Sequence, residues 1–188
     1  MKSEPIKPDG EARPEESTSQ IAPELPSSEA AMRHYTLIAK QPYFKGLNSR
    51  QLKLLASAVV ETEIIAGQSI FDEGDIANRF YIILEGQVLI EAEGSERERI
   101  PIQTLGPTDD LGWSWLFPPY HTHFGARTLT PVKMLLFYAP KLRQQCEKDH
   151  QLGYELMKRV AAVMLERLQA VRRRLSEEVA AKRLSLES

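Results

Sequence analysis

Two histidines stand one residue apart in His121-Thr122-His123. On an extended strand that spacing puts both imidazoles on one face, where a pair of ring nitrogens can hold a metal ion. No cysteine lies near them, the spacing forces no carboxylate close, and His34 and His150 are distant in sequence. Loop histidines on a partly exposed surface are the favoured reading, and no metal is assigned. Just upstream, Trp113, Trp115, Phe117 and Tyr120 fall within eight residues. Such rings can stack a planar ligand, close the mouth of a barrel or face a partner protein, and the last two uses are favoured. Cys146 has Lys141, Arg143 and Lys148 nearby, cations that can lower a thiol pKa, although a cysteine on a spacer helix usually packs inertly. No nucleophile–base pair, phosphate loop or pair of catalytic carboxylates stands out. The expectation is a protein that is not an enzyme and carries no cofactor.

Composition narrows the classes further. With 42% hydrophobic and 27% charged residues the chain suits a soluble globular domain. A formal charge of −2 gives no general attraction to nucleic acid or anionic lipid. Cys146 is the sole cysteine, so no intrachain disulfide can form. No apolar run approaches the roughly 20 residues of a membrane span, and no apolar signal core opens the chain. A cytoplasmic location is expected, with no membrane association.

Residues 1–29 hold five of the 12 prolines, many Glu and Ser, and almost no large apolar side chains. Such a segment buries too little surface to offset its ordering entropy, so a solvated tail is expected before a domain spanning 30–185. Within that domain, residues 30–58 read as helices. Leu37 and Ile38 lie on a short stripe that stops near Gln41-Pro42. Asn48 or Ser49 can cap a second helix with Leu52, Leu55 and Val59 on one face. Residues 59–138 read as short strands divided by turn signals at Ala66-Gly67, Gly74, Gly86, Gly94-Ser95, Gly106-Pro107 and Thr130-Pro131. Within them Phe80 to Leu84 is rich in aromatic and β-branched residues, and Glu85-Gly86 turns into a return strand carrying Val88 and Ile90.

Residues 139–185 return to helix. Pro140 suits a first helical turn and Asp149 can cap a long final helix. Along it Met157, Ala161, Met164, Leu168, Val171 and Leu175 follow the alternating spacing of a two-helix seam, while Leu156, Val160 and Val163 form a second stripe. One stripe is expected on the domain and the other on a second subunit, which makes a homodimer. The fold class is therefore mainly β with flanking helices: an antiparallel β-roll, of double-stranded β-helix or jelly-roll type, with N-terminal helices and a long C-terminal helix.

The stretch Phe71-Asp72-Glu73-Gly74-Asp75, followed by Tyr81-Ile82-Ile83-Leu84-Glu85-Gly86-Gln87-Val88, resembles the "F-x-E-G-D … Y-x-I-x-x-G-x-V" signature of the cyclic nucleotide-binding domain family. The resemblance runs from about Met32 to Leu175. It implies a ligand cassette of the form F-G-E-x-A-L, a short gap, then R-x-A. In that cassette backbone N–H groups and the Arg meet the cyclic phosphate, and the Glu accepts from the ribose hydroxyl. Here the matching segment is Leu111-Gly112-Trp113-Ser114-Trp115-Leu116-Phe117, and alignment anchored on Gly112 and Thr130 puts Trp113 at the Glu position and Thr122 at the Arg position. Arg127 lies five residues further along, an odd offset that turns it to the opposite strand face. Losing the Arg contact alone removes about 1.5–3 kcal/mol.

The resemblance thus implies a regulatory sensor or interaction module with a degenerate phosphate cassette. Its ligand-pocket candidates are Gly112, Trp113, Ser114, Trp115, Thr122 and His123; on the long helix Arg167 and Val171-Arg172 match the region that covers the base in activator-type relatives, and of these Arg172 is the candidate cation. The favoured reading of Arg172, Arg173 and Arg174 is nevertheless a solvated face. A true cyclic nucleotide or other small-effector receptor with an altered pocket is one alternative; a ligand-free accessory subunit of a larger complex is another. A protein partner fits either the leading reading or the last. Relatives of the activator type continue past the long helix into a helix-turn-helix. Only 13 residues follow Leu175 here, so DNA binding by this chain alone is not expected.

Overall fold

The computed structural model describes residues 28–186. The expected tail lies outside them except for Ser28 and Glu29, which open the first helix instead: α1 spans Ser28–Ala39. A 3-10 turn at Pro42–Phe44 leads to α2, Ser49–Ala56. Asn48 caps α2 in a reciprocal box: its side chain accepts from Gln51 N, and the Gln51 side chain accepts from Asn48 N, both at 3.0 Å.

The roll follows as β1 (Val59–Ile64), β2 (Ser69–Phe71), β3 (Arg79–Glu85), β4 (Val88–Glu93), β5 (Arg99–Leu105), β6 (Asp110–Leu111), β7 (Gly125–Thr128) and β8 (Val132–Tyr138). One antiparallel sheet has the order β1-β8-β3-β6 and the other β2-β7-β4-β5. The return strand after Gly86 needs correction. β4 does not pair with β3 but crosses into the other sheet, where it lies between β7 and β5. Gly86 has φ +89°, and a Cβ there would collide with the Pro131 carbonyl and the Val132 side chain. Only glycine fits a turn this close to the β7–β8 connection. The two-residue strand β6 was invisible to periodicity, being too short to alternate.

β3 explains the layering. Phe80 and Ile82 project into an apolar cluster with Ile38, Phe44, Leu55 and Phe137 beneath the helices, while Tyr81 and Ile83 project between the sheets with Val88, Leu105 and Met134. A strand buried on both faces reads as a continuous apolar run, which is what Phe-Tyr-Ile-Ile is.

α3 (Ala139–Lys148) and α4 (His150–Leu186) complete the domain. Asp149 Oδ1 accepts from Leu152 N at 3.0 Å, the expected cap. The two stripes of α4 separate as their spacing suggests. Leu152, Leu156, Val160 and Val163 are buried against the domain, whereas Met157, Met164, Leu168 and Leu175 stay exposed, Leu168 at 65%.

Truncating the inner stripe should be costly: Leu156→Ala is expected to lower unfolding free energy in urea by about 2–5 kcal/mol. Gly86→Ala should destabilise as well, because the turn demands a positive φ and leaves no room for a methyl group. A neutral result for either would mean that the packing described here relaxes freely.

Candidate functional site

After β6 the chain turns at Gly112, where φ is +86° and a Cβ would sit 2.9 Å from the Arg79 carbonyl oxygen. The close pass across β3 sets the start of a 3-10 turn, Trp113–Leu116. Its two tryptophans go opposite ways. Trp115 is fully buried, 6.0 Å from Phe80, so it belongs to the core beneath the helices and is removed from the pocket candidates. Trp113 is half-buried and stacks on His123 with ring centroids 5.2 Å apart and planes 18° from parallel. Ser114, buried beside them, shares a 3.1 Å hydrogen bond with His123 Nδ1.

Thr122 does not face open space. Its hydroxyl donates to the Asp72 carbonyl at 2.6 Å, its N–H donates to the Asp75 carbonyl, and its own carbonyl accepts from Gly74 N. Thr122 therefore anchors the Asp72–Asp75 turn. His121 Nδ1 donates to the Gly74 carbonyl at 2.8 Å, so the two histidines are committed to different neighbours. Among the described residues no group of three or more His, Cys, Asp or Glu is placed to hold a metal ion. Tyr120 lies under the Arg143 guanidinium at 4.2 Å, and Arg143 Nη1 donates to the Trp115 carbonyl at 2.8 Å, which fastens the loop to α3.

Gly112, Trp113, Ser114, Thr122 and His123 line one cavity together with Phe71 and Phe124. Its free volume is about 20 Å³, room for one water molecule. The cation in its wall is Arg167. Arg172, the sequence candidate, is exposed and lies outside the lining, since five residues along a helix leave it about 140° around the axis from Arg167. Arg127 is held outside the lining too, 3.5 Å from the buried Glu91 carboxylate and donating to the Gly67 carbonyl at 3.0 Å. Cys146 is no activated thiol. Burial, then Asp149 and Glu147, push its pKa up to about 11 despite the lysines nearby in sequence.

Sequence reasoning placed Arg167 in the right region of the helix but missed Asp110 and the bonds Arg167 makes beside it. Arg167 Nη1 donates to Gln103 Oε1 at 2.7 Å and its Nη2 to the Asp110 carbonyl at 3.1 Å. The Asp110 side chain is buried, and its Oδ2 has no hydrogen-bond partner. Burial pushes its carboxyl up to about 7, against the opposing pull of Arg167. The one available signal was an aspartate pair directly before the Leu111-Gly112 turn, which looks like ordinary loop polarity.

A family model described as the cyclic nucleotide-binding domain matches residues 61–149. A putative cyclic nucleotide-binding protein from Geobacter metallireducens is 30% identical, with 72% of this chain and 97% of that one covered and a TM-score of 0.64. A CRP-like cAMP-activated global transcriptional regulator of Mycobacterium tuberculosis is 25% identical over 131 residues, covering 70% of this chain; the alignment spans 58% of that relative's length. The regulatory subunit of a cAMP-independent protein kinase A from Trypanosoma brucei shares the fold at 18% identity and a TM-score of 0.60, over 78% of this chain and 52% of that one. On the family model over the roll and the 30% identity to a relative covered almost end to end, the chain belongs to the cyclic nucleotide-binding domain family.

Proposed function

We propose that this domain is a non-enzymatic regulatory module whose nucleotide pocket is closed, and which works through a protein partner or a second copy held on α4. The observation that carries the reading is the Trp113–His123 stack over a cavity of about 20 Å³. A cyclic nucleotide needs space, a cation for its phosphate and an acceptor for its ribose. Here Trp113 stands at the acceptor position, and Thr122 at the cation position is spent on Asp72. Cyclic AMP dependence differs among the relatives: the Mycobacterium relative is described as cAMP-activated, and the Trypanosoma relative as the regulatory subunit of a cAMP-independent kinase.

Arg167 in the cavity wall favours a second reading, a receptor for a different effector in an altered pocket. The outer stripe of α4 supports a homodimer. Met157, Met164, Leu168 and Leu175 are exposed apolar residues at seam spacing on a helix whose other face is already packed. A cytoplasmic location is part of the same proposal. No helix among the described residues is long and apolar enough to cross a membrane.

Calorimetry on the unmutated protein should give dissociation constants no tighter than about 1 mM for cyclic AMP and cyclic GMP, roughly −4 kcal/mol. A micromolar value for either overturns the closed-pocket reading. For the seam, light scattering at tens of micromolar should show a dimer that Leu168→Glu converts to a folded monomer. A wild-type monomer, or a mutant that stays dimeric, would remove α4 from the contact.

A further inference from the structure

Asp110 sits where four parts of the domain meet. It belongs to β6, and its neighbour across the sheet is Ile82 of β3. The charged groups that act on it are Arg167 and Glu166 of α4 and Asp109 of its own turn. From the 3-10 turn Pro42–Phe44 it faces Tyr43, whose hydroxyl is also buried without a partner and whose pKa burial, then Asp110, raise further. Asp109 is occupied, accepting from Gly106 N at 2.8 Å. Arg167 is thus the cation available to Asp110, yet it is bonded to Asp110's backbone carbonyl and to Gln103, while Asp110 Oδ2 has no partner.

We propose that Asp110 is a buried proton switch that sets how α4 is held against the roll. With the carboxyl protonated Asp110 itself buries no charge, and the part-buried Arg167 guanidinium bridges Gln103 of β5 and the Asp110 carbonyl of β6. That bridge ties the middle of α4 to both sheets, because β5 and β6 lie in different ones. Loss of the proton leaves a buried carboxylate supported by its own backbone N–H and the pull of Arg167, opposed by Asp109 and Glu166, with no donor at Oδ2, a costly state for a buried charge. The guanidinium is the compensating charge within reach. Turning to the carboxylate takes it from Gln103 or from the backbone carbonyl, and one tie between α4 and a sheet is released.

The sign follows from the same chemistry. The folded carboxyl holds its proton to about 7, well above the ordinary 3.8, so stability contributed by this site is present at low pH and is lost as pH rises through 7. The transition falls in the range where cellular pH varies. Its effect reaches the exposed face of α4, since Met164 and Leu168 flank Arg167 on the same turn. The cavity wall feels it too, because Arg167 lines the cavity and Trp113 follows Asp110 by three residues.

The test is a pH series on the full chain from about 5.5 to 8.5, read by amide hydrogen exchange, corrected for its intrinsic pH dependence, and by tryptophan fluorescence. Corrected exchange in α4 around Arg167 should rise severalfold between pH 6 and 8. The fluorescence should move with the same midpoint near 7. Histidines titrate in this window as a class, so Asp110→Asn is the deciding variant. It should flatten both curves at the low-pH level, and a transition that persists in it overturns the proposal. Arg167→Gln should raise the Asp110 midpoint, because it removes the charge that favours the carboxylate; an unchanged or lower midpoint is contrary. Should either variant fail to fold, carboxyl carbon NMR of Asp110 in the unmutated protein decides alone. A midpoint within about one unit of 7 supports the switch, and one below 5 overturns it.

Discussion

Strand β3 has no wet face, and the rest of the domain is arranged to keep it dry. Its odd and even side chains need separate apolar partners, so two layers must cover it: the second sheet on one side and the helices on the other. The first requirement sends β4 across the roll instead of back along β3, and makes Gly86 a crossing point instead of a hairpin tip. The second brings α1, α2, α3 and the first half of α4 together over Phe80 and Ile82. Four fully buried residues in a row contribute about 1.5–3 kcal/mol each in transfer terms, which makes this the least negotiable segment of the chain. Gly112 then passes close to the Arg79 carbonyl at the edge of the same strand. The candidate site is in this sense hung from β3.

α4 performs three tasks with one helix, divided by angle and by position along the axis. Its first half buries Leu152, Leu156, Val160 and Val163 and fixes the helix to the domain. Arg159 adds to this anchorage, donating to the Tyr43 carbonyl at 2.5 Å and the Lys45 carbonyl at 2.7 Å. Its middle offers Arg167 to β5, β6 and the cavity. The opposite face keeps its apolar seam outside. A disturbance at Arg167 therefore acts on the segment between the fixed half and the free half, where a small displacement is least resisted by packing.

Much of this was legible in the sequence, for identifiable reasons. The expected strand region 59–138 holds all eight strands, because turn residues punctuate its short apolar runs, and α3 begins at Ala139, where the expected return to helix begins. The Asn48 and Asp149 caps were legible because a short polar side chain before an apolar period has one common use. What failed were the features that depend on distant chain segments. The opposite fates of Trp113 and Trp115 cannot be told from their spacing, because a 3-10 turn puts neighbours on different sides at angles that tertiary contacts select. Arg172 was preferred over Arg167 for the same reason: both lie on one helix, and only the position of the roll decides which looks inward. Asp110 hid in a strand too short to show a period. A charged residue that is buried contradicts composition, and so is found only by its surroundings.

On the proposed reading, the closed cavity is one end of a conformational equilibrium whose other end has Trp113 swung away from His123. Two contacts hold Trp113 down: an aromatic stack worth about 0.5–1.5 kcal/mol and, through the shared His123, a hydrogen bond to Ser114 worth about 0.5–1.5 kcal/mol. Their sum is about 1–3 kcal/mol, which corresponds to roughly a 5- to 150-fold bias toward the closed form. A bias of that size weakens any ligand that requires the open form by the same factor, but does not abolish binding. It is smaller than the affinity an intact set of phosphate and ribose anchors provides. On the proposed reading, in which Trp113 and Thr122 replace the anchors, the closed lid is therefore the lesser obstacle to a nucleotide and the replaced anchors are the greater. An effector that makes its main contact with Arg167, and needs neither anchor, would meet only the lesser one.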